Sequence, residues 1–188
     1  AAGSAASPQR TLSAMATTEP ASAIVARVPV PRALERLRAT WDWGANVGVP
    51  AHVTVLFPFL PAERLRPEVR RELAAIAAAH RPFDVRFEQA GRFPGVVYVA
   101  PDPAAPFARL TEAVVAIYPE FPPYGGAFDV VIPHLTIAES DKAPLDEIAT
   151  AATKVLPFRH RVSALEVLVE GGEGRWHTRW RLPLGVRR

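Results

Sequence analysis

Apolar and polar residues recur along this chain with two periods, and the switches between them mark its elements. Residues 22–28, SAIVARV, form a short apolar run that predicts a strand. Residues 31–41 space their apolar positions for a helix, with Pro31 in its first turn. Gly44, Gly48 and Pro50 break residues 42–50 into a loop. A strand is expected from His52 to about Leu60, and a helix over 67–80 with Val69, Leu73, Ile76 and Ala77 on one stripe. Residues 83–93 alternate apolar and polar, as a strand with one wet face does. A more buried strand follows over 95–101, after a turn at Pro94-Gly95. Residues 106–119 read as a helix ended by Pro119, 120–126 as a loop, and 143–156 as a helix. A strand starts at His134. Two more, 158–172 and 174–185, flank a turn at Gly171-Gly172-Glu173-Gly174.

Two of the strands carry the same unusual pattern. AHVTVLFPF, residues 51–59, puts His52 and Thr54 on one face and Val53 and Val55 on the other. PHLTIAES, residues 133–140, repeats this with His134 and Thr136 against Leu135 and Ile137. Each pair is followed by a helix and then by Pro-Phe opening a further strand, at Pro82-Phe83 and at Pro157-Phe158. Such an internal repeat predicts two similar lobes about an approximate two-fold axis, with the two His-Thr strands facing one groove.

Composition narrows the chemistry. At 188 residues and 49% hydrophobic, the chain can bury a sizeable core. It has no cysteine, which rules out disulfides, a thiol nucleophile and thiolate metal sites. Net charge is +3, and nearly all the positive charge is arginine, whose planar fork suits phosphate. The arginines are scattered rather than clustered, so a compositional bias shared with the many Ala and Pro residues is the better explanation of them. Residues 1–18 are expected to be a disordered tail or a cloning remnant, and 19–188 a single bilobal domain. No apolar run approaches the roughly 20 residues of a membrane span, and no secretory pattern appears. The expectation is a cytoplasmic monomer that does not associate with membranes.

Two histidines in one groove supply a general base, when neutral, and a general acid, when protonated. Threonine hydroxyls beside them can donate to anionic oxygens. A phosphodiester uses all four groups, because attack at phosphorus and departure of an ester oxygen each need a proton transfer. No third ligand accompanies His52 and His134 at metal spacing, so neither metal nor cofactor is expected. There is no glycine-rich triphosphate loop.

HVTV and HLTI, with FPGVVYVAP and the PPYGG loop between them, resemble the paired His-x-Thr signatures of the 2H phosphoesterase superfamily. The similar branch is the bacterial 2′,5′-RNA-ligase-like group of 2′,3′-cyclic phosphodiesterases. That resemblance implies an α+β fold of two pseudo-symmetric lobes, with antiparallel sheets lining a central cleft and helices packed outside. It also implies hydrolysis of 2′,3′-cyclic phosphates of nucleotides or RNA 3′ ends to 2′-phosphates, with reversible 2′,5′ ligation on the same site. By position it makes His52 the acid and His134 the base, while Thr54 and Thr136 hold phosphate oxygens. Two alternatives keep the same residues: turnover of an ADP-ribose cyclic phosphate or other small metabolite, and an RNA-end or nucleotide binder without turnover.

Several relatives carry an arginine just after the second motif, where this chain has Ala138, Glu139 and Ser140. Alternation with Ala138 turns Glu139 away from the groove. Arg92 and Lys142 are candidate replacements for the missing cation. Phe57, Phe59 and Tyr124 are candidate base-stacking groups, with core packing the competing role for the two phenylalanines. His80, His160 and His177 lack a Thr two residues on and are set aside.

Overall fold

The computed structural model describes residues 22–185. The expected tail lies outside them, as do residues 186–188. Eight strands form two antiparallel four-stranded sheets. The first has the order β2-β1-β7-β8, built from β1 (Ser22–Arg27), β2 (His52–Leu56), β7 (Ala164–Glu170) and β8 (Trp176–Pro183). The second has the order β5-β4-β3-β6, built from β3 (Phe83–Phe93), β4 (Val96–Asp102), β5 (Leu135–Glu139) and β6 (Phe158–Val162). The two His-Thr strands are thus corresponding edges of the two sheets, and these edges touch. The helices are α1 (Arg32–Trp41), the single turn α2 (Trp43–Asn46), α3 (Pro67–Ala79), α4 (Ala105–Ile117) and α5 (Leu145–Thr153).

The repeat falls one unit earlier than the Pro-Phe signals suggest. The equivalent units are β1-α1-β2 and β4-α4-β5, each an antiparallel strand pair joined through a helix. Their helices cross over: α1 packs on β5 and α4 on β2. β3 and β6 are not counterparts in separate lobes. They pair with each other, Phe83 opposite Val162 and Phe87 opposite Phe158. The long strand expected over 158–172 is broken at Ser163, where the chain leaves one sheet as β6 and enters the other as β7. The strand at His52 ends at Leu56, and β5 begins at Leu135 with His134 at its threshold. Inside the loop expected at 42–50, Asp42 caps α2 by accepting from the Gly44 N–H at 3.0 Å.

One hydrophobic core runs under both sheets. Val53 and Val55 of β2, Leu135 and Ile137 of β5, and Phe107, Leu110 and Val114 of α4 belong to it. β-branched and aromatic residues on the inner faces of the strands, and one apolar stripe per helix, account for its composition. A smaller cluster, Ala23, Val25, Val49, Phe57, Leu168 and Trp176, lies on the other face of the first sheet. Among the described residues no helix is long and apolar enough to cross a membrane. Phe87 is fully buried and stacks on Phe158 at 4.7 Å between ring centroids. Phe87→Ala is expected to lower unfolding free energy by about 3–5 kcal/mol, read from urea denaturation. A loss within 1 kcal/mol would show that this junction of β3 and β6 does not hold the second sheet.

Candidate active site

Alternation makes the cleft. In β2 the buried residues Val53 and Val55 leave His52 and Thr54 half-buried on the opposite face. In β5 Leu135 and Ile137 are buried and Thr136 is half-buried. Thr136 lies opposite Tyr98, and Tyr98 lies opposite Gly91, so these three share the face of the second sheet turned from the helices.

The two imidazoles are held by the same device. His52 Nδ1 lies 2.7 Å from the Pro50 carbonyl oxygen, and His134 Nδ1 lies 2.8 Å from that of Ile132. A carbonyl only accepts, so each Nδ1 carries its hydrogen and donates it. The neutral rings therefore both present Nε2 as a lone pair. His52 Nε2 is 3.1 Å from Thr54 Oγ1, whose hydroxyl donates to it. With that hydrogen committed, the Tyr124 hydroxyl bonded to Thr54 is the donor of its own pair. The result is a chain from Tyr124 through Thr54 to His52.

His134 is 5% exposed, with its ring edge-on to Phe93 at 5.3 Å and to Tyr98 at 5.5 Å. Phe93 and Tyr98 stack on each other at 4.3 Å. Gly91 makes room for this wall: a Cβ there would sit 2.5 Å from the Tyr98 ring. Among the described residues the sealed side-chain polar atoms without a partner are Arg38 Nε and Trp176 Nε1. His134 Nε2 is not one of them, so apolar packing does not wall it off unpaired.

Burial dominates the electrostatics. It pushes His52 down from 6.5 to about 4, against the pull of the Pro50 carbonyl and with added repulsion from Arg38 and His134. The strands that carry the two rings, β2 and β5, touch along their edges. Burial also lowers His134, opposed by its bond to Ile132. It pushes the Tyr124 phenol up to about 12, opposed by its hydrogen bond with Thr54 and with Glu139 adding to the rise. Below the site, Arg38 is 1% exposed and binds Asp42 at 2.8 Å and the Val49 carbonyl at 3.3 Å. Burial raises Asp42, opposed by Arg38. Asp42 also forms a backbone bridge to Glu139, which ties the segment leading to His52 to the strand leading from His134.

His52 and Thr54 on β2, and His134 and Thr136 at β5, thus lie on the touching edges of the two sheets, and Tyr124 joins them in a different capacity. At 4% exposure its ring has no free face for a base; it acts through its hydroxyl. Phe57, at 1%, packs edge-on to Trp176 in the smaller core cluster, and Phe59, at 3%, packs against Tyr118 and Phe121. Neither can stack on a base. Arg92 lies opposite Val97 on the helix side of the sheet and pairs with Asp146 of α5, away from the cleft. Lys142 is exposed in the turn after β5. Glu139 is turned toward the cleft side, because a register shift between Val97 and Tyr98 buries Leu135, Ile137 and Ala138 together. Phe93 and Tyr98 went unnoticed in the sequence, although both sit on alternate positions of the hairpin that precedes the second motif. Among the described residues no group of three or more His, Asp or Glu is placed to hold a metal ion.

The family model of the 2′-5′ RNA ligase superfamily matches residues 20–174. No curated protein matches the chain. Among solved structures, TT0787 of Thermus thermophilus aligns with a TM-score of 0.60 at 21% identity, covering 89% of this chain and 100% of that one. E. coli LigT in apo form aligns with a TM-score of 0.54 at 16% identity, covering 90% of this chain and 100% of that one. LigT complexed with 3′-AMP gives 0.51 at 17%, covering 88% and 99%. At these identities the likeness speaks for the fold, an α+β arrangement of two antiparallel sheets with helices outside. The match over most of the chain is what carries membership: this protein belongs to the 2′-5′ RNA ligase superfamily, the 2H phosphoesterases.

Proposed function

We propose that this protein hydrolyses 2′,3′-cyclic phosphates of nucleotides or RNA ends to 2′-phosphates, using His52 and His134 as the proton-transfer pair. The observation that carries the reading is the matched pair of Nδ1–carbonyl bonds, which leaves both Nε2 atoms for chemistry. One Nε2 takes the proton of the attacking water as its oxygen bonds to phosphorus. The other, as imidazolium, gives a proton to the 3′ oxygen as the P–O3′ bond breaks. Thr54 and Thr136 donate to the non-bridging oxygens. For Thr54 this means turning its hydrogen from His52 to the phosphate, which frees Nε2 at the moment substrate arrives. The LigT structures complexed with 3′-AMP, NADP+ and ATP support a nucleotide as the ligand class. Run in reverse with a 5′-hydroxyl in place of water, the same groups would join a 2′,5′ linkage.

The direct test incubates the protein with nucleoside 2′,3′-cyclic phosphates in EDTA and follows phosphorus NMR. Appearance of 2′-phosphate is expected; no turnover, or a 3′-phosphate product, contradicts the reading. His52→Ala and His134→Ala should each lower kcat by about 10²–10⁴, the worth of one proton-transfer partner. Near-full activity in either variant would remove that histidine from the mechanism.

The pKa directions fix the pH profile. Both rings are held below 6.5 in the empty cleft, so at neutral pH both are uncharged and the acid is missing. A bound phosphate favours imidazolium and raises them. The optimum of kcat/KM, which reports the free protein, should therefore lie below pH 6.5. The optimum of kcat, which reports the complex, should lie above that of kcat/KM. Flat profiles from about pH 5 to 9, or the reverse order of optima, would contradict the two-histidine scheme.

A further inference from the structure

We propose that the cleft continues past His52 into a second phosphate subsite built by Arg27 and Arg181. It takes the phosphate on the 5′ oxygen of the ribose whose 2′ and 3′ oxygens carry the reacting phosphate. This deepens the reading above and rests on it for the identity of the ligand. A cavity of about 210 Å³, lined by Arg27, His160, Ser163, Glu166 and Arg181 among others, opens there. At ~30 Å³ per water that is room for a phosphate group with several waters. Strand register places it beside the catalytic groups. Arg27 is the direct cross-strand neighbour of His52, and Val25 that of Thr54. Glu166 lies opposite both Val25 and Arg181. Directly opposed residues on antiparallel strands share a face, with Cβ atoms roughly 5 Å apart. His52, Thr54, Arg27, Glu166 and Arg181 therefore share one face of the first sheet.

The charges in this cavity are not used up within the protein. Neither Arg27 nor Arg181 takes part in an ion pair among the described residues, and both are exposed. Glu166, 7% exposed, instead accepts from the Thr178 hydroxyl at 2.9 Å. Two guanidiniums against one carboxylate leave the cavity net positive. The His160 ring is hydrogen-bonded to the Arg27 main chain and holds the end of β1 in place. The chemistry of the substrate then selects the ligand. With O2′ and O3′ taken by the cyclic phosphate, the remaining ribose position for a phosphate is O5′, and the terminal nucleotide of an RNA chain carries one there. Arginine suits it because its planar fork meets two phosphate oxygens at once.

The test compares three substrates in EDTA: a nucleoside 2′,3′-cyclic phosphate, the same compound with a 5′-phosphate, and a dinucleotide ending in the cyclic phosphate. The wild-type protein should favour the 5′-phosphorylated compound through KM by about tenfold or more, the scale of one charge-assisted contact. R181Q, three strands across the sheet from His52, should remove most of that preference, and R27Q should do the same. Preference for the dinucleotide as well identifies an RNA end as the source of the phosphate. Preference for the monoester alone identifies a mononucleotide. No preference in the wild type, or one that survives both substitutions, overturns the subsite while leaving cyclic phosphodiesterase activity standing. Should no cyclic phosphate be turned over, calorimetric titration with inorganic pyrophosphate decides separately. Weakening by about tenfold in R181Q supports the subsite, and equal binding overturns it.

Discussion

Two main-chain carbonyls fix the orientation of the two histidines on which the proposed chemistry rests. Those of Pro50 and Ile132 each take the Nδ1 hydrogen of the histidine two residues on. A histidine whose ring can spin and exchange tautomers is a poor proton carrier, because only one of its nitrogens faces the substrate. Fixing Nδ1 as a donor leaves Nε2 as the lone pair of both neutral rings. Each carbonyl sits just before a strand that anchors its histidine. Buried Val53 and Val55 seat one strand, and buried Leu135 and Ile137 the other. The core therefore orients the imidazoles through backbone geometry, without a carboxylate behind either ring.

The surroundings pull in the opposite direction. Burial and Arg38 disfavour a charge on His52, and burial disfavours one on His134. At neutral pH both imidazoles are therefore uncharged. Arg38 itself is tolerated because Asp42 and the Val49 carbonyl satisfy it. Losing Asp42 would leave a buried guanidinium without its counter-ion, a costly state. The bridge from Asp42 to Glu139 adds a mechanical link between the halves that carry the two histidines.

What could be read from the sequence was whatever has a local period. His52 with Thr54 and His134 with Thr136 are i, i+2 pairs, and alternation alone puts each pair on one face. Features that depend on pairing across the chain were hidden. Tyr124 looked like a loop aromatic, and its hydrogen bond to Thr54 exists only once that loop folds onto β2. Glu139 and Arg92 were misjudged because register shifts in β5 and β3 break the simple alternation. The change of sheet at Ser163 occupies one residue inside an otherwise continuous strand pattern. Arg27 became visible only when β1 was placed against β2.

The claim beneath all of this is that both imidazoles address one phosphate. Nitrogen-15 NMR of the labelled histidines, titrated over pH with and without a nucleoside 2′-monophosphate, tests it most directly. In the free protein both rings should show the Nδ1-protonated tautomer and titrate below 6.5. With the nucleotide bound, the pKa values of His52 and His134 should both rise. If the nucleotide binds and moves only one of them, or neither, the two histidines do not share a phosphate and the account fails.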